Sequence, residues 1–180
     1  MIITISGLPG SGTSTVSAIL SRHIGARVVS AGDIFRKMAK ERGLTLEEFG
    51  ASATDNEEID REIDRFQKEI ASDARSADEA VILEGRLSAW MAEPDLAVFV
   101  TAPQDVRAAR VAHREGVPLS DAATQIRERE LCEAARYKKY YGIDVNDPEV
   151  YDLVINSGNW DQHGVARIVA AAVDAHQTHK

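Results

Sequence analysis

The sequence predicts an α/β fold, a mainly parallel sheet of about five strands covered on both faces by helices. Three observations predict it. Apolar, strand-like runs alternate with helical patterns along the chain. The runs are continuously apolar rather than alternating, as strands buried on both faces are. Polar or glycine-bearing turns follow the first three runs, at the strand ends where open parallel sheets bind their ligands.

Taken in order, Ile2-Ile3-Thr4-Ile5-Ser6 reads as the first strand. The loop Gly7-Leu8-Pro9-Gly10-Ser11-Gly12-Thr13-Ser14-Thr15 follows, then a helix that opens on Val16-Ser17-Ala18-Ile19-Leu20 and ends near Gly25. Arg27-Val28-Val29-Ser30 is a second strand. It leads through Ala31-Gly32-Asp33 into a helix from Ile34 to about Arg42, stopped by Gly43. Thr45 to Ser76 is polar and helical, with Ile59, Ile63, Phe66 and Ile70 forming one apolar stripe at helical spacing. Ala80-Val81-Ile82-Leu83 is a third strand, ending in Glu84-Gly85-Arg86, and Leu96-Ala97-Val98-Phe99-Val100 a fourth, ending at Thr101-Ala102-Pro103. Arg107, Arg110 and Arg114 then share a helix. A charged helical stretch runs from Ser120 to Tyr141, Leu153-Val154-Ile155 is the last strand, and Val165 to Val173 the last helix.

The chain's 180 residues suit one domain that buries a core without disulfides or a structural metal. Its 21 basic and 29 acidic residues give a net charge of −8, which argues against a nucleic-acid duplex or an anionic membrane as partner. It leaves room for a small anionic ligand held by a local arginine cluster. The single cysteine, Cys132, points to a reducing interior, and no redox motif surrounds it. The N-terminal apolar run is short and broken by Gly7 and Pro9, unlike a signal peptide, and no stretch reaches the length of a membrane span. A cytoplasmic monomer without nucleic-acid or membrane partners is the expected form.

A glycine-rich turn between a strand and a helix is the setting in which backbone N–H groups and a helix dipole cradle phosphate. Gly7, Gly12 and Ser14 keep the spacing of G-x-x-x-x-G-K-[ST], with Thr13 at the lysine position. Ser14 is the natural metal-facing hydroxyl. Glu84 is either a carboxylate holding metal-bound water or a surface carboxylate at a strand end. Asp33 either caps its helix or works with Arg36 and Arg86, whose guanidinium groups suit the phosphate of a second substrate. Asp60, Arg61, Asp64 and Arg65 either make helix-surface pairs (Glu57 with Arg61, Asp64 with Lys68) or read a base edge. Arg127-Glu128-Arg129-Glu130 and Arg136-Tyr137-Lys138-Lys139 are a solvated helix or a lid bringing arginines to a transferring phosphoryl group while excluding water. His23, His113, His163, His176 and His179 show no metal-ligand spacing, and Trp90 and Trp160 read as packing residues.

At this point the chain resembles the nucleoside monophosphate kinases, and most closely the archaeal-type (type 2) cytidylate kinases. The resemblance runs nearly end to end, through Ile2 to Thr15, Val29-Ser30-Ala31-Gly32-Asp33-Ile34-Phe35-Arg36, Glu58-Ile59-Asp60-Arg61-Glu62-Ile63-Asp64-Arg65, Leu83-Glu84-Gly85-Arg86-Leu87, Thr101-Ala102-Pro103, Arg136-Tyr137-Lys138-Lys139-Tyr140-Tyr141-Gly142-Ile143-Asp144 and Tyr151-Asp152-Leu153-Val154-Ile155-Asn156. It implies a P-loop NTPase three-layer α/β/α fold, with a core of residues 1–42, 77–116 and 150–180, a monophosphate-binding insertion at 43–76 and a lid with flanking helices at 117–149. It implies transfer of the ATP γ-phosphoryl group to CMP and dCMP, with Mg²⁺. By this resemblance Gly7 to Thr15 and Arg110 hold ATP. Gly32, Asp33, Arg36 and Arg86 match the monophosphate side, with Asp60, Arg61, Asp64 and Arg65 toward the base. Arg110 and Arg114 match the arginines leading into the lid, and Arg129 and Arg136 those within it; Arg114, Arg129, Arg136 and Asp33 are the expected catalytic residues. Two features depart from the family: Ala134 and Ala135 make the lid less positive, and Thr13 replaces the lysine of the wider superfamily, as is usual for this archaeal type. The missing charge is expected from Arg136 and Arg129.

Two rivals are weighed against this expectation, beside a catalytically dead binding protein that only Thr13 suggests. One is a kinase of the same fold acting on another monophosphate or a small metabolite. The other is a nucleotide-binding switch, which predicts a guanine-reading Asn-Lys-x-Asp sequence that the chain lacks.

Overall fold

Five strands, β1 (Ile2–Gly7), β2 (Arg27–Ser30), β3 (Val81–Glu84), β4 (Leu96–Thr101) and β5 (Leu153–Asn156), form one sheet in the order β2-β3-β1-β4-β5. Every neighbouring pair is parallel. The structure, a computed structural model, describes residues 1–179, with side chains through Thr178; the His179 side chain lies outside the described residues.

Alternate strand residues feed the two faces. Ile3, Ile5, Ile82, Val98 and Val100 pack with Val16 and Leu20 of α1 (Thr13–Ile24) and Val165, Val169 and Val173 of α8 (Gln162–His179). Ile2, Val81 and Leu83 face the other way, onto Ala71 and Ala74 of α4 (Glu58–Ser76). Complete burial of a Val, Leu or Ile side chain is worth roughly 1.5–3 kcal/mol, so this double-sided packing is the main force holding the strand ends in line. Register then matters for function: Ile5 and Ser30 both pair with Glu84, so β2 and β3 end together and β1 runs two residues further, to Gly7, where the loop begins.

Residues 43–76, expected to form a monophosphate-binding insertion, fold as α3 (Leu46–Asp55) and α4, packed on α2 (Ala31–Glu41). Thr45 and Glu48 close a capping box at the start of α3. A third cluster of Met38, Ala39, Phe49, Ala53, Ile59 and Ile63 packs the three helices together. The apolar stripe expected on α4 divides here. Ile59 and Ile63 join this cluster, Ile70 packs with the sheet-facing one, and Phe66 is 46% exposed. The buried face of α4 instead carries Asp60, Asp64 and Gln67, each with a polar partner, which sequence periodicity undercounts.

Helix α2 starts at Ala31, earlier than the expected Ile34, because the Ser30 hydroxyl accepts the Asp33 N–H at 3.2 Å and caps the first turn. The stretch expected to form a lid is the long helix α7 (Leu119–Tyr141), packed on α6 (Gln104–Glu115) through Ala108, Val111, Ala122 and Ile126. A short helix α5 (Ser88–Met91) follows the third strand's turn. Trp90 packs edge-on against Tyr151, with centroids 5.6 Å apart, as a packing residue. Trp160 differs from expectation: it is 55% exposed, because it lies in the turn before α8 rather than on a helix face. Among the described residues no helix is long and apolar enough to cross a membrane.

Candidate active site

The phosphate loop is built by backbone conformation. Gly10 has φ +82°, and a Cβ there would lie 2.7 Å from the Arg107 carbonyl oxygen, so both the turn and the close approach require glycine. Gly12, at φ 98°, ends the loop as the N-cap of α1 and offers no side-chain cap. The first N–H groups of α1 are therefore free for an anion.

The loop's carbonyl oxygens are committed elsewhere. Leu8 O accepts the Ser11 N–H at 3.0 Å and Gly12 O that of Val16 at 3.0 Å. Arg86 Nη1 donates to Gly7 O at 3.1 Å, Arg107 Nη1 to Pro9 O at 3.1 Å, and Arg110 Nη1 to Ser11 O at 3.3 Å. The Ser157 hydroxyl donates to Ser11 O at 2.7 Å while accepting from Arg110 at 2.9 Å. In a trans peptide the carbonyl and the following N–H point oppositely. Holding these oxygens from behind therefore turns the N–H groups toward the concave side.

At the mouth of the loop, Thr13 Oγ1 and Ser14 Oγ donate to the same Glu84 oxygen, at 2.7 and 3.0 Å. Glu84 is nearly buried at the end of β3 and is fixed from its backbone by Gln67, whose Nε2 donates to Glu84 O at 3.2 Å while its Oε1 accepts from Ser88 at 2.8 Å. Two hydroxyls and a carboxylate beside a phosphate cradle are hard oxygen donors of the kind that suit a magnesium ion sharing its shell with water and phosphate. The side chain at the missing-lysine position, Thr13, thus works as a hydroxyl on this carboxylate.

After β2, where the resemblance expects the monophosphate, Asp33 and Arg36 pair at 2.5 Å with both side chains largely exposed, and the Arg36 guanidinium lies over Gly32. Arg86 is nearly buried between the loop and α7, where its Nε donates to Glu133 at 2.9 Å. Arg129 donates to the other Glu133 oxygen at 2.7 Å and keeps half its surface exposed. Burial pushes the Glu133 carboxyl up, yet Arg129 and Arg86 outweigh it and hold it below the ordinary glutamate range.

A cavity of about 300 Å³ opens beside α4, lined by Arg61, Asp64, Arg65, Lys68, Met91 and Tyr141. Burial raises the Asp64 carboxyl to about 6, although the Tyr141 hydroxyl donates to it and Lys68 and Arg136 oppose the rise. The Arg61 guanidinium lies 5.5 Å from the centre of the Tyr141 ring. Three of the four residues expected at a base, Arg61, Asp64 and Arg65, meet here. The fourth does not: Asp60 is buried against Arg136, with Arg136 Nε 2.5 Å from its Oδ2 and Nη2 3.2 Å from its Oδ1.

That ion pair also changes the expectation for Arg136. Only 4% exposed, its guanidinium fastens α7 to α4 rather than facing the loop. Tyr140 ties α7 to α3 as well, its hydroxyl donating to Ala53 O at 3.1 Å. Arg114 is exposed and paired with its neighbour Glu115, away from these contacts. Arg110 is engaged with the loop backbone and Ser157. The arginines that bond the loop backbone are therefore Arg86, Arg107 and Arg110, and Arg129 joins Arg86 through their shared partner Glu133. Arg107, Glu133, Gln67 and Tyr141 were absent from the sequence-derived site. Glu133 had a signal: it lies seven residues after Ile126 and four before Tyr137, a charge in the apolar register of α7.

A parallel sheet with a phosphate loop after β1, a carboxylate ending β3 and an arginine-rimmed mouth defines a P-loop kinase fold. Solved structures agree on the fold: an uncharacterized protein from Eubacterium ventriosum matches with TM-score 0.73 and 20% identity over 97% of this chain and 98% of its own. Shikimate kinase from Bacteroides thetaiotaomicron matches with TM-score 0.59 and 13% identity over 97% and 98%. Within that class, residues 2–159 match the cytidylate kinase-like family, and the chain belongs to it. The cytidylate kinase of Thermococcus sibiricus is 50% identical over 97% of this chain and 88% of its own, and that of Pyrococcus horikoshii 49% identical over the same shares. The cytidylate kinase of Methanocaldococcus jannaschii is 47% identical over 97% and 98%.

Proposed function

We propose that the protein is a cytidylate kinase, moving the γ-phosphoryl group of ATP to CMP and dCMP and releasing ADP with CDP or dCDP. The observation that carries this is the meeting, at the ends of β1, β2 and β3, of the phosphate loop, the Glu84 carboxylate, and Arg86 with the Asp33–Arg36 pair. Phosphoryl transfer needs positioning and positive charge more than covalent chemistry, and this cluster offers both. The N–H groups of the loop and of the first turn of α1 hold the donor phosphates. Arg86 and Arg36 hold the acceptor phosphate, and Arg129, half free, reaches the transferring group as α7 closes. Ser14, and Glu84 through water, would hold Mg²⁺, which supplies charge neutralisation at the donor phosphates when bound. The test is a panel of CMP, dCMP, UMP and AMP with ATP and Mg²⁺ beside a no-acceptor control. CMP and dCMP are expected to lead, and a strong preference for AMP or for a non-nucleotide acceptor would overturn the proposal.

Asp64 gives the proposal a pH signature. Ionised, it accepts from the cytosine amino group and repels the uracil carbonyl at the same edge. Protonated, it donates to that carbonyl. With the carboxyl at about 6, the CMP-to-UMP ratio of kcat/KM is expected to fall as pH drops from 7.5 through 6 to 5.5. The ratio cancels the shared titration of the substrate phosphates. In Asp64→Asn the ratio is expected to be low and flat, and an unchanged pH dependence in that variant would remove Asp64 from base recognition.

A further inference from the structure

Arg107 lies in the first turn of α6 and is 5% exposed. Its Nε donates to Ala102 O at 2.9 Å and its Nη1 to Pro9 O at 3.1 Å. The same Nη1 is paired with Glu130 of α7, whose side chain is a quarter exposed. A buried guanidinium is tolerated only with a counter-charge, and Glu130 is the carboxylate this one has. Three residues on along α7, Glu133 makes the same arrangement with Arg86 and Gly7 O. The lid helix thus reaches the phosphate loop through two parallel relays, each running carboxylate, guanidinium, loop carbonyl.

We propose that Arg107, charge-balanced by Glu130, is a positioning residue for the donor phosphates. By holding Pro9 O outward it fixes the Pro9–Gly10 peptide with the Gly10 N–H turned to the phosphate side, and through Glu130 it ties that orientation to the seating of α7. This rests on the loop being the donor-phosphate site. It assigns to Arg107 and Glu130 part of the job that a lysine does where Thr13 stands: the order of the loop is imposed by a charge behind the backbone rather than one in front of it. Glu130 is the better of the two glutamates for a test, since Glu133 acts through Arg86, which also faces the acceptor.

Glu130→Gln keeps size and hydrogen bonding but removes the counter-charge, at a site exposed enough to keep the fold. It is expected to raise KM for ATP and weaken ADP binding by about five- to tenfold, as the loss of a charge-assisted contact does, with KM for CMP changed less than about twofold. Arg107→Lys keeps the charge but loses the fork, and is expected to weaken ADP by a similar factor. In an Arg107→Met background, where no buried cation is left to balance, Glu130→Gln should then add less than about twofold, because the two act as one unit. Equal effects on ATP and CMP, no effect on ADP, or two penalties that simply multiply would each overturn the proposal. ADP affinity, measured by calorimetry without any acceptor, reads the loop whichever acceptor is used. A chain that binds ADP but fails to phosphorylate CMP contradicts the cytidylate kinase proposal and leaves this one to be judged on the variants.

Discussion

Arg136→Ala is expected to destabilise the protein by about 3–5 kcal/mol, the cost of stranding a buried charge. In a domain of this size that lowers Tm by on the order of 10 °C. The partner left behind is Asp60, 5% exposed and already raised above the usual aspartate range by burial, against the opposing pull of Arg136. Arg136 also lies over the Tyr137 ring at 5.2 Å, so truncation removes packing as well as charge. The pair joins α7 to α4, and its loss should loosen these two helices against each other and lower turnover along with stability. A control that removes the pair as a whole isolates the cause: Arg136→Met combined with Asp60→Leu leaves no buried ion at this site and is expected to recover most of the lost Tm. Thermal denaturation of the single and double variants reads this directly. An Arg136→Ala protein with wild-type Tm but collapsed kcat would instead put the guanidinium at the transferring phosphoryl group, where the family resemblance expects it.

The second large effect is expected at Glu84. Glu84→Ala should lower kcat by roughly 10²–10³-fold, the range seen when one preorganised electrostatic group is removed from a transition-state site. Both loop hydroxyls, Thr13 and Ser14, lose their shared acceptor, and the carboxylate that would anchor metal-bound water goes with it. The backbone around it stays fixed by Gln67 and by the strand pairing of Glu84 with Ile5 and Ser30, so Tm should move little. Glu84→Gln keeps an acceptor for the hydroxyls but not the charge, and is expected to fall nearly as far. Steady-state kcat for the two variants at saturating ATP and Mg²⁺ is the check. A Glu84→Ala enzyme retaining more than about a tenth of wild-type kcat would make this carboxylate a structural strand terminus.

The fold was legible because its strands are buried on both faces and carry almost pure apolar runs, and because Gly25, Gly43, Gly116 and Gly142 punctuate the helices at left-handed conformations. The loop was legible for the same kind of reason: its glycine spacing is a backbone requirement that only a few residues satisfy. What periodicity could not supply was the destination of charges. Arg136 and Asp60 lie 76 residues apart, and Arg86 and Glu133 lie 47 apart, so nothing local distinguishes a solvated charge from a buried, paired one. The reading of α4 failed at Phe66 for a related reason. The helix buries Gln67 and Asp64 because Ser88 and Tyr141 satisfy them, and an apolar residue next to them is turned outward. Arg107 was placed on its helix but given no role, since a loop carbonyl as its partner becomes visible only when α6 packs behind the loop.

The most direct test of the central claim is a competition in one vessel. Equimolar CMP and UMP are incubated with limiting ATP and Mg²⁺ at pH 7.5, and the diphosphates are separated early in the reaction, so that their ratio equals the ratio of kcat/KM values. CDP is expected to exceed UDP by about tenfold or more, the discrimination that a buried carboxylate reading the amino edge provides. UDP in excess of CDP, or ATP consumed with neither diphosphate formed, would contradict it.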